Sequence, residues 1–132
     1  ARIVRAIRHP LVTMLGHATG RLLLQRDGYA VDLDRVLEAA AEAGVMIEVN
    51  ADPHRLDLDW AHCKRARALG VRLVINPDAH STAGLANYRY GVDVARRGWL
   101  EAGDVFNTLG ADEAARHLQQ RRDSARAVRA AP

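Results

Sequence analysis

Residues 33–50, LDRVLEAAAEAGVMIEVN, hold a helix and a strand joined by one glycine. Leu33, Val36, Leu37, Ala40 and Ala41 recur at helical spacing and line one face. Asp32 or Asp34 can cap the free N–H groups at the start, and Gly44 can supply the left-handed residue that stops the helix. The run VMIEV (45–49) that follows is short, apolar and rich in β-branched residues, the pattern of a strand covered on both faces. The same order recurs on either side. LVTML (11–15) and VRLVI (71–75) are two more such runs, and LDLDWAHCKRARALG (56–70) predicts a second helix, ended by Gly70, with Leu58, Ala61 and Leu69 on its apolar side and Lys64, Arg65 and Arg67 outside. Alternation of this kind predicts an α/β fold with parallel strands joined by crossovers.

The rest of the chain sets limits on this reading. A chain of 132 residues, 48% hydrophobic and 27% charged, is globular and long enough for one domain with a core of its own. Cys63 is the single cysteine, so no intrachain disulfide and no structural zinc finger can form, and a reducing compartment is expected. No apolar run approaches the roughly 20 residues needed to cross a bilayer. ARIVRAIRHP is amphipathic and unlike a signal peptide, so the protein is expected to be soluble and cytoplasmic. Because the first residue is Ala, residues upstream are expected to be missing. The net charge is +3, and Lys64 is the single lysine, so arginine carries nearly all the positive charge. That suits phosphate partners, although an arginine-rich composition alone would look the same. The domain is taken as residues 1–122, followed by an Ala/Arg-rich tail, 123–132, expected to be disordered.

Polar, ligand-capable residues follow every strand. GHATGR comes after the first, Glu48 and Asn50 end the second and lead into ADPHRLDL, and NPDAH follows the third. In parallel α/β folds the carboxyl ends of the strands converge on one rim, so His17, Glu48, Asn50, Asp78 and His80 are expected to face one another. If the chain stays extended past Pro77, Asp78 and His80 point to the same side, because side chains alternate with period two. With His17 they offer one carboxylate and two imidazoles, a set that suits zinc, manganese or iron better than calcium or magnesium. Asp-x-His is a weak signal when alone, and DPH at 52–54 is a second copy.

GHATGRLLLQRDGYAVDLDRVLEAAAEAG, IEVNADPHRLDLDW, INPDAHST and YRYGVDVARRGWL together resemble the C-terminal part of the PHP (polymerase and histidinol phosphatase) domain of bacterial and archaeal family X DNA polymerases, from about residue 2 to about residue 110. The resemblance implies roughly the last half of a distorted β/α barrel. It also implies a cluster of bound manganese or zinc and hydrolysis of phosphoesters, as in 3′-5′ exonuclease trimming and 3′-end processing of DNA during repair. Carried over by position, His17 matches a late histidine ligand of the family, and Asp78 and His80 match its terminal Asp-x-His pair. Asp52 and His54 fall in a variable stretch and are set aside. The family's His-x-His signature is absent, since no two of the six histidines lie two apart, and its middle His and Glu ligands belong upstream of residue 1. The chain alone is therefore expected to be a weak catalyst or none. Its expected partners are DNA 3′ ends, through the complete domain, and the upstream half of the barrel, or copies of itself through an exposed sheet edge.

Other residues take lesser roles. A carboxylate in an apolar strand must be paired or functional, which makes Glu48 a candidate support for the ligands. Arg21 and Arg55 are candidates for substrate phosphate, with an ordinary ion pair equally expected. Asn50 either touches substrate or orients the turn toward Pro53, the latter favoured. His9 ends a helix ahead of Pro10, and His62 and His117 read as solvated. GHATGR lacks the spacing of a phosphate-cradling loop. Ser81 beside His80 and Cys63 beside His62 are not nucleophile pairs, because sequence neighbours point apart and no GxSxG elbow occurs. Tyr88, Tyr90 and Trp99, interleaved with arginines, could stack on bases, but packing of a helix against the barrel is the expectation. Two further readings stand beside the exonuclease: a phosphatase acting on a small phosphomonoester, and a non-catalytic structural or nucleic-acid-binding remnant.

Overall fold

Three strands form one parallel sheet in chain order: β1 (Met14–Leu15), β2 (Met46–Asn50) and β3 (Leu73–Asn76). In this computed structural model, which describes residues 1–130 and side chains as far as Arg126, Met14 pairs with Met46, and Ile47 pairs with Leu73. Helices α2 (Leu33–Ala43) and α3 (Trp60–Ala68) make the two crossovers. A short α1 (Arg2–Ile7) lies on α2, α4 (Tyr88–Arg97) lies on α3 and the sheet, and α5 (Ala111–Ala130) ends the described chain. The predicted α/β class with parallel strands holds.

α2 forms as its sequence dictates. The Asp32 carboxylate accepts from the Arg35 N–H at 3.1 Å, and Gly44 closes the helix at φ 61°, a conformation glycine reaches without penalty. Val36, Leu37 and Ala40 are buried, and Leu33 and Ala41 pack beside them. Asp59 caps α3 in the same way through the His62 N–H. The buried side of α3 is Cys63 and Ala66, with Leu58 just ahead of it, whereas Ala61 is exposed. The apolar face predicted for this helix is thus shifted. All five residues of β2 are buried, as a strand covered on both faces requires, and Leu37, Ile47, Val49, Leu58 and Leu73 form the centre of the core.

Two elements depart from expectation for identifiable reasons. The first strand is confined to Met14–Leu15: the Val12 N–H turns back to the His9 carbonyl at 3.0 Å, its own carbonyl accepts from the Arg121 guanidinium of α5, and Leu11 is half exposed. The same guanidinium reaches the carbonyls of Ala43 and Gly44 at the end of α2. α5 is therefore tied to the body, Ala125 is buried, and the segment expected as a disordered tail is helical through Ala130; residues 131–132 lie outside the described residues. Tyr88, Tyr90 and Trp99, expected to pack inward, are 53%, 47% and 66% exposed, and Trp99 instead carries the Lys64 ammonium 3.9 Å above its ring. No helix among the described residues is long and apolar enough to cross a membrane.

Cys63 gives a direct check on this packing. Burial, followed by the charges of Asp59 and Asp57, pushes its thiol up to about 12 against an offset from Arg21. The thiolate is the reactive species, so alkylation by iodoacetamide at pH 8 is expected to be slow in the folded chain and fast in urea. Between pH 9 and 12 the unfolded chain releases this proton while the folded chain keeps it. Stability is therefore fully present below pH 9 and lost as pH rises toward 12. A urea midpoint that stayed constant from pH 8 to 10.5 would contradict the buried placement.

Candidate functional site

Because the three strands run parallel, they finish at one end of the sheet, and there His17, Glu48 and Asn50 meet; among the described residues Asp78 and His80 make no hydrogen bond to these three. Glu48 on β2 organises this end. Although 7% exposed, its carboxylate is well supplied with donors: the His17 backbone N–H at 2.8 Å and the Asn76 amide at 2.9 Å, one on each oxygen, with the Asn50 amide at 3.5 Å. A carboxylate in such a strand is tolerable because its lone pairs are satisfied. Glu48 thus joins the ends of all three strands.

His17 sits one residue past Gly16 at φ 49°, in the left-handed region that a β-carbon disfavours. Its Nδ1 lies 3.4 Å from the Asn50 amide and 3.9 Å from Glu48 Oε2, and its side chain is 47% exposed. Nε2 has no protein partner among the described residues. Asn50 also accepts from the Asp52 N–H at 3.0 Å, so it orients the turn that begins at Asp52, the role favoured from the sequence.

The Asp78 region differs from the extended reading. β3 ends at Asn76, and Asp78 turns left-handed at φ 52°, which short polar side chains accept more readily than others. Alternation therefore stops before the Asp-x-His pair. The Asp78 carboxylate turns to Arg55 Nε at 3.2 Å, and His80 folds back so that its Nδ1 meets the Asp78 carbonyl at 2.8 Å. Among the described residues no group of three or more His, Cys, Asp or Glu side chains is gathered closely enough to hold a metal ion. The donors fit zinc or manganese in kind, but these residues do not by themselves make up a metal centre.

Both candidate phosphate arginines are engaged internally. Arg21 donates to the carbonyls of Arg55 (2.8 Å) and Leu56, and NH1 lies 4.0 Å from Asp59. Arg55 pairs with Asp78 and reaches the Arg21 carbonyl at 3.4 Å. Arg55 is thus ion-paired, and Arg21 is held mainly by backbone carbonyls. Burial works to raise the Asp59 carboxyl, but the His62 N–H and ring and the Arg21 charge together hold it below its usual range. In the second Asp-x-His copy, Asp52 accepts from the His54 N–H at 2.7 Å and its ring at 2.9 Å, closing its own turn.

Asp57 was given no role from the sequence. It is 1% exposed and accepts from the Thr19 and Gly20 N–H groups on the loop after β1. In LDLDW the two aspartates look like one solvated alternation. The helix predicted over 56–70 took in both, whereas α3 begins only at Trp60, so Asp59 caps it and Asp57 lies ahead of it.

No protein-family model matches the sequence. Over 106 residues, 80% of this chain, it is 42% identical to the DNA polymerase/3'-5' exonuclease PolX of Bacillus subtilis, of which those residues make up 19%. It is also 26% identical over 112 residues to a probable phosphatase of Thermoanaerobacter sp. and over 126 residues to one of Caldanaerobacter subterraneus. The chain spans 43% and 47% of those two proteins. The match to PolX at this level over four-fifths of the chain bears out the resemblance read from the four sequence blocks: over this stretch the chain is similar to part of a family X DNA polymerase.

Proposed function

We propose that this chain is the C-terminal portion of a PHP-type, metal-dependent phosphoesterase, a partial β/α barrel that trims or processes DNA 3′ ends when joined to an upstream portion. The observation that carries the reading is the 42% identity to a protein named as a polymerase and 3'-5' exonuclease. The rim geometry supports it, since Glu48 joins the strand ends that lead to His17 and Asp78. Manganese or zinc is proposed as the cofactor, with further ligands from outside this chain. His17 and His80 offer ring nitrogens, and Asp78 offers its carboxylate on leaving Arg55, which would then be released toward substrate phosphate. Nothing in this arrangement requires the chain to act alone, and weak or no activity in isolation is part of the proposal.

Small phosphomonoester hydrolysis is the second reading, favoured by the 26% identity to proteins named probable phosphatases. One assay series separates the two. The chain, mixed with the upstream portion of a full-length relative and Mn²⁺, is given 3′-labelled single-stranded DNA and p-nitrophenyl phosphate. Stepwise loss of nucleotides from the 3′ end supports the first reading, and release of nitrophenol without DNA loss supports the second. His17→Ala and His80→Ala are each expected to lower the rate by about 100-fold or more, at or above the loss seen when partners of metal ligands are removed. Unchanged rates in both variants, or DNA binding indifferent to chelation with no turnover, would leave the non-catalytic remnant as the reading.

A further inference from the structure

The loop from His17 to Gly20 is bound at nearly every backbone polar atom. The His17 N–H donates to Glu48 at 2.8 Å, and the Thr19 and Gly20 N–H groups both donate to Asp57 Oδ2, at 2.9 and 3.2 Å. The Tyr29 hydroxyl lies 3.0 Å from the His17 carbonyl and 2.8 Å from that of Ala18, and the Thr19 carbonyl accepts from the Tyr29 N–H. Arg26 reaches the Gly20 carbonyl at 2.7 Å. Gly20 is at φ +65°, and a β-carbon there would come within 2.6 Å of the Tyr29 ring, so glycine is needed for both conformation and space.

Asp57 is the costly member of this set. It is 1% exposed, and its second oxygen, Oδ1, is buried with no hydrogen-bond partner among the described residues. A fold that needed only filled space would place an apolar side chain there. What the carboxylate supplies is one oxygen that draws two adjacent N–H groups inward, with the strength of an ionised acceptor. Those groups lie two and three residues past His17, which is itself held left-handed.

We propose that Asp57 is a positioning residue for His17: with Glu48 and Tyr29 it clamps the 17–20 loop and fixes where the imidazole points at the rim. The inference deepens the phosphoesterase reading, because holding His17 serves catalysis only if that ring is part of the site. Amide hydrogen exchange and ¹³C/¹⁵N relaxation of the His17 ring, measured on the whole chain without metal or substrate, test it. In Asp57→Ala, exchange at Thr19 is expected to rise about 100-fold and the ring to become mobile, as loss of a bond to a charged acceptor predicts, with a smaller rise at Gly20, whose N–H also donates to the His17 carbonyl at 3.1 Å. Asp57→Asn keeps an acceptor oxygen and should restore most of the order, with a rise of about tenfold or less. Tyr29→Phe removes a hydroxyl from an exposed residue and is expected to free the ring even if Asp57→Ala fails to fold. In each folded variant the Ile47 and Val49 amides of β2 should keep their protection. Two results would overturn the clamp: a ring as ordered in Tyr29→Phe and the folded Asp57 variants as in the parent, or loop and β2 amides losing protection together. A chain inactive toward every phosphoester leaves these measurements as they are, so the clamp and the activity fail separately.

Discussion

Gly91→Leu is expected to destabilise the chain by more than about 3 kcal/mol, beyond the usual range for overpacking. Gly91 is buried in α4 where the helix crosses the sheet. A β-carbon there would stand 2.6 Å from Ile75 Cγ2 and 2.8 Å from Ala51 Cβ. Ile75 is on β3, and Ala51 follows directly on β2, so neither contact can retreat as the tip of a long side chain would. Gly91→Ala separates the opposing effects. Alanine should gain about 1 kcal/mol from helix propensity and lose about 1–3 kcal/mol to the clash, leaving a net between about zero and a loss of about 2 kcal/mol. Gly103→Ala, where nothing lies within 4 Å, is the control. Urea denaturation reads all three. A Gly91→Ala chain more stable than the parent would mean that α4 does not lie against β2 and β3 as described. The consequence for the site is direct, since α4 seals the end of the sheet that carries Asn50 and Asn76.

How much of this could be read beforehand depended on how local the cause was. α2 and β2 were legible because each carries its own instructions: a 3.6-residue apolar stripe, Asp32 and Gly44 at the ends, then an unbroken apolar run. β1 was not, because Val12 is taken out of it from two directions, by the turn back to His9 and by Arg121, 109 residues away on α5. In α3 the apolar residues are sparse, so Cys63 and Ala66 could not be told from Ala61 until β2 and α4 were in place. The Asp78 turn is a backbone choice at one residue: period-two alternation assumes an extended chain, and a left-handed residue cancels it. Tyr88 and Tyr90, two apart, cannot share one face of α4, and the sequence around them does not say whether a neighbour exists to cover either. Asp57 was hidden for the opposite reason, because an aspartate in the first turn of a predicted helix reads as solvated until the 17–20 loop folds over it.

Glu48→Ala is the second large effect, and it tests how the site is assembled. Both carboxylate oxygens are in use, Oε2 for the His17 N–H and Oε1 for the Asn76 amide. Truncation leaves these donors in a buried setting and opens a cavity, which together should cost about 3–5 kcal/mol, comparable to breaking a buried charged pair. Glu48→Gln is the sharper variant. One end of the amide can still accept, but the other presents N–H to a donor, so one of the two bonds is lost. Turning the Asn76 amide to offer its oxygen would recover that bond and hold the cost to about 1 kcal/mol. If Gln is nearly neutral, the His17 N–H must be the donor that keeps its acceptor, and its amide proton should stay protected from exchange while that of Glu48→Ala does not. If Gln and Ala are equally damaging, no such rearrangement occurs, and both oxygens are needed as a charged pair of acceptors. If Ala is tolerated with the His17 amide still protected, Glu48 does not join the strand ends, and the loop after β1 must be held by Asp57 and Tyr29 alone.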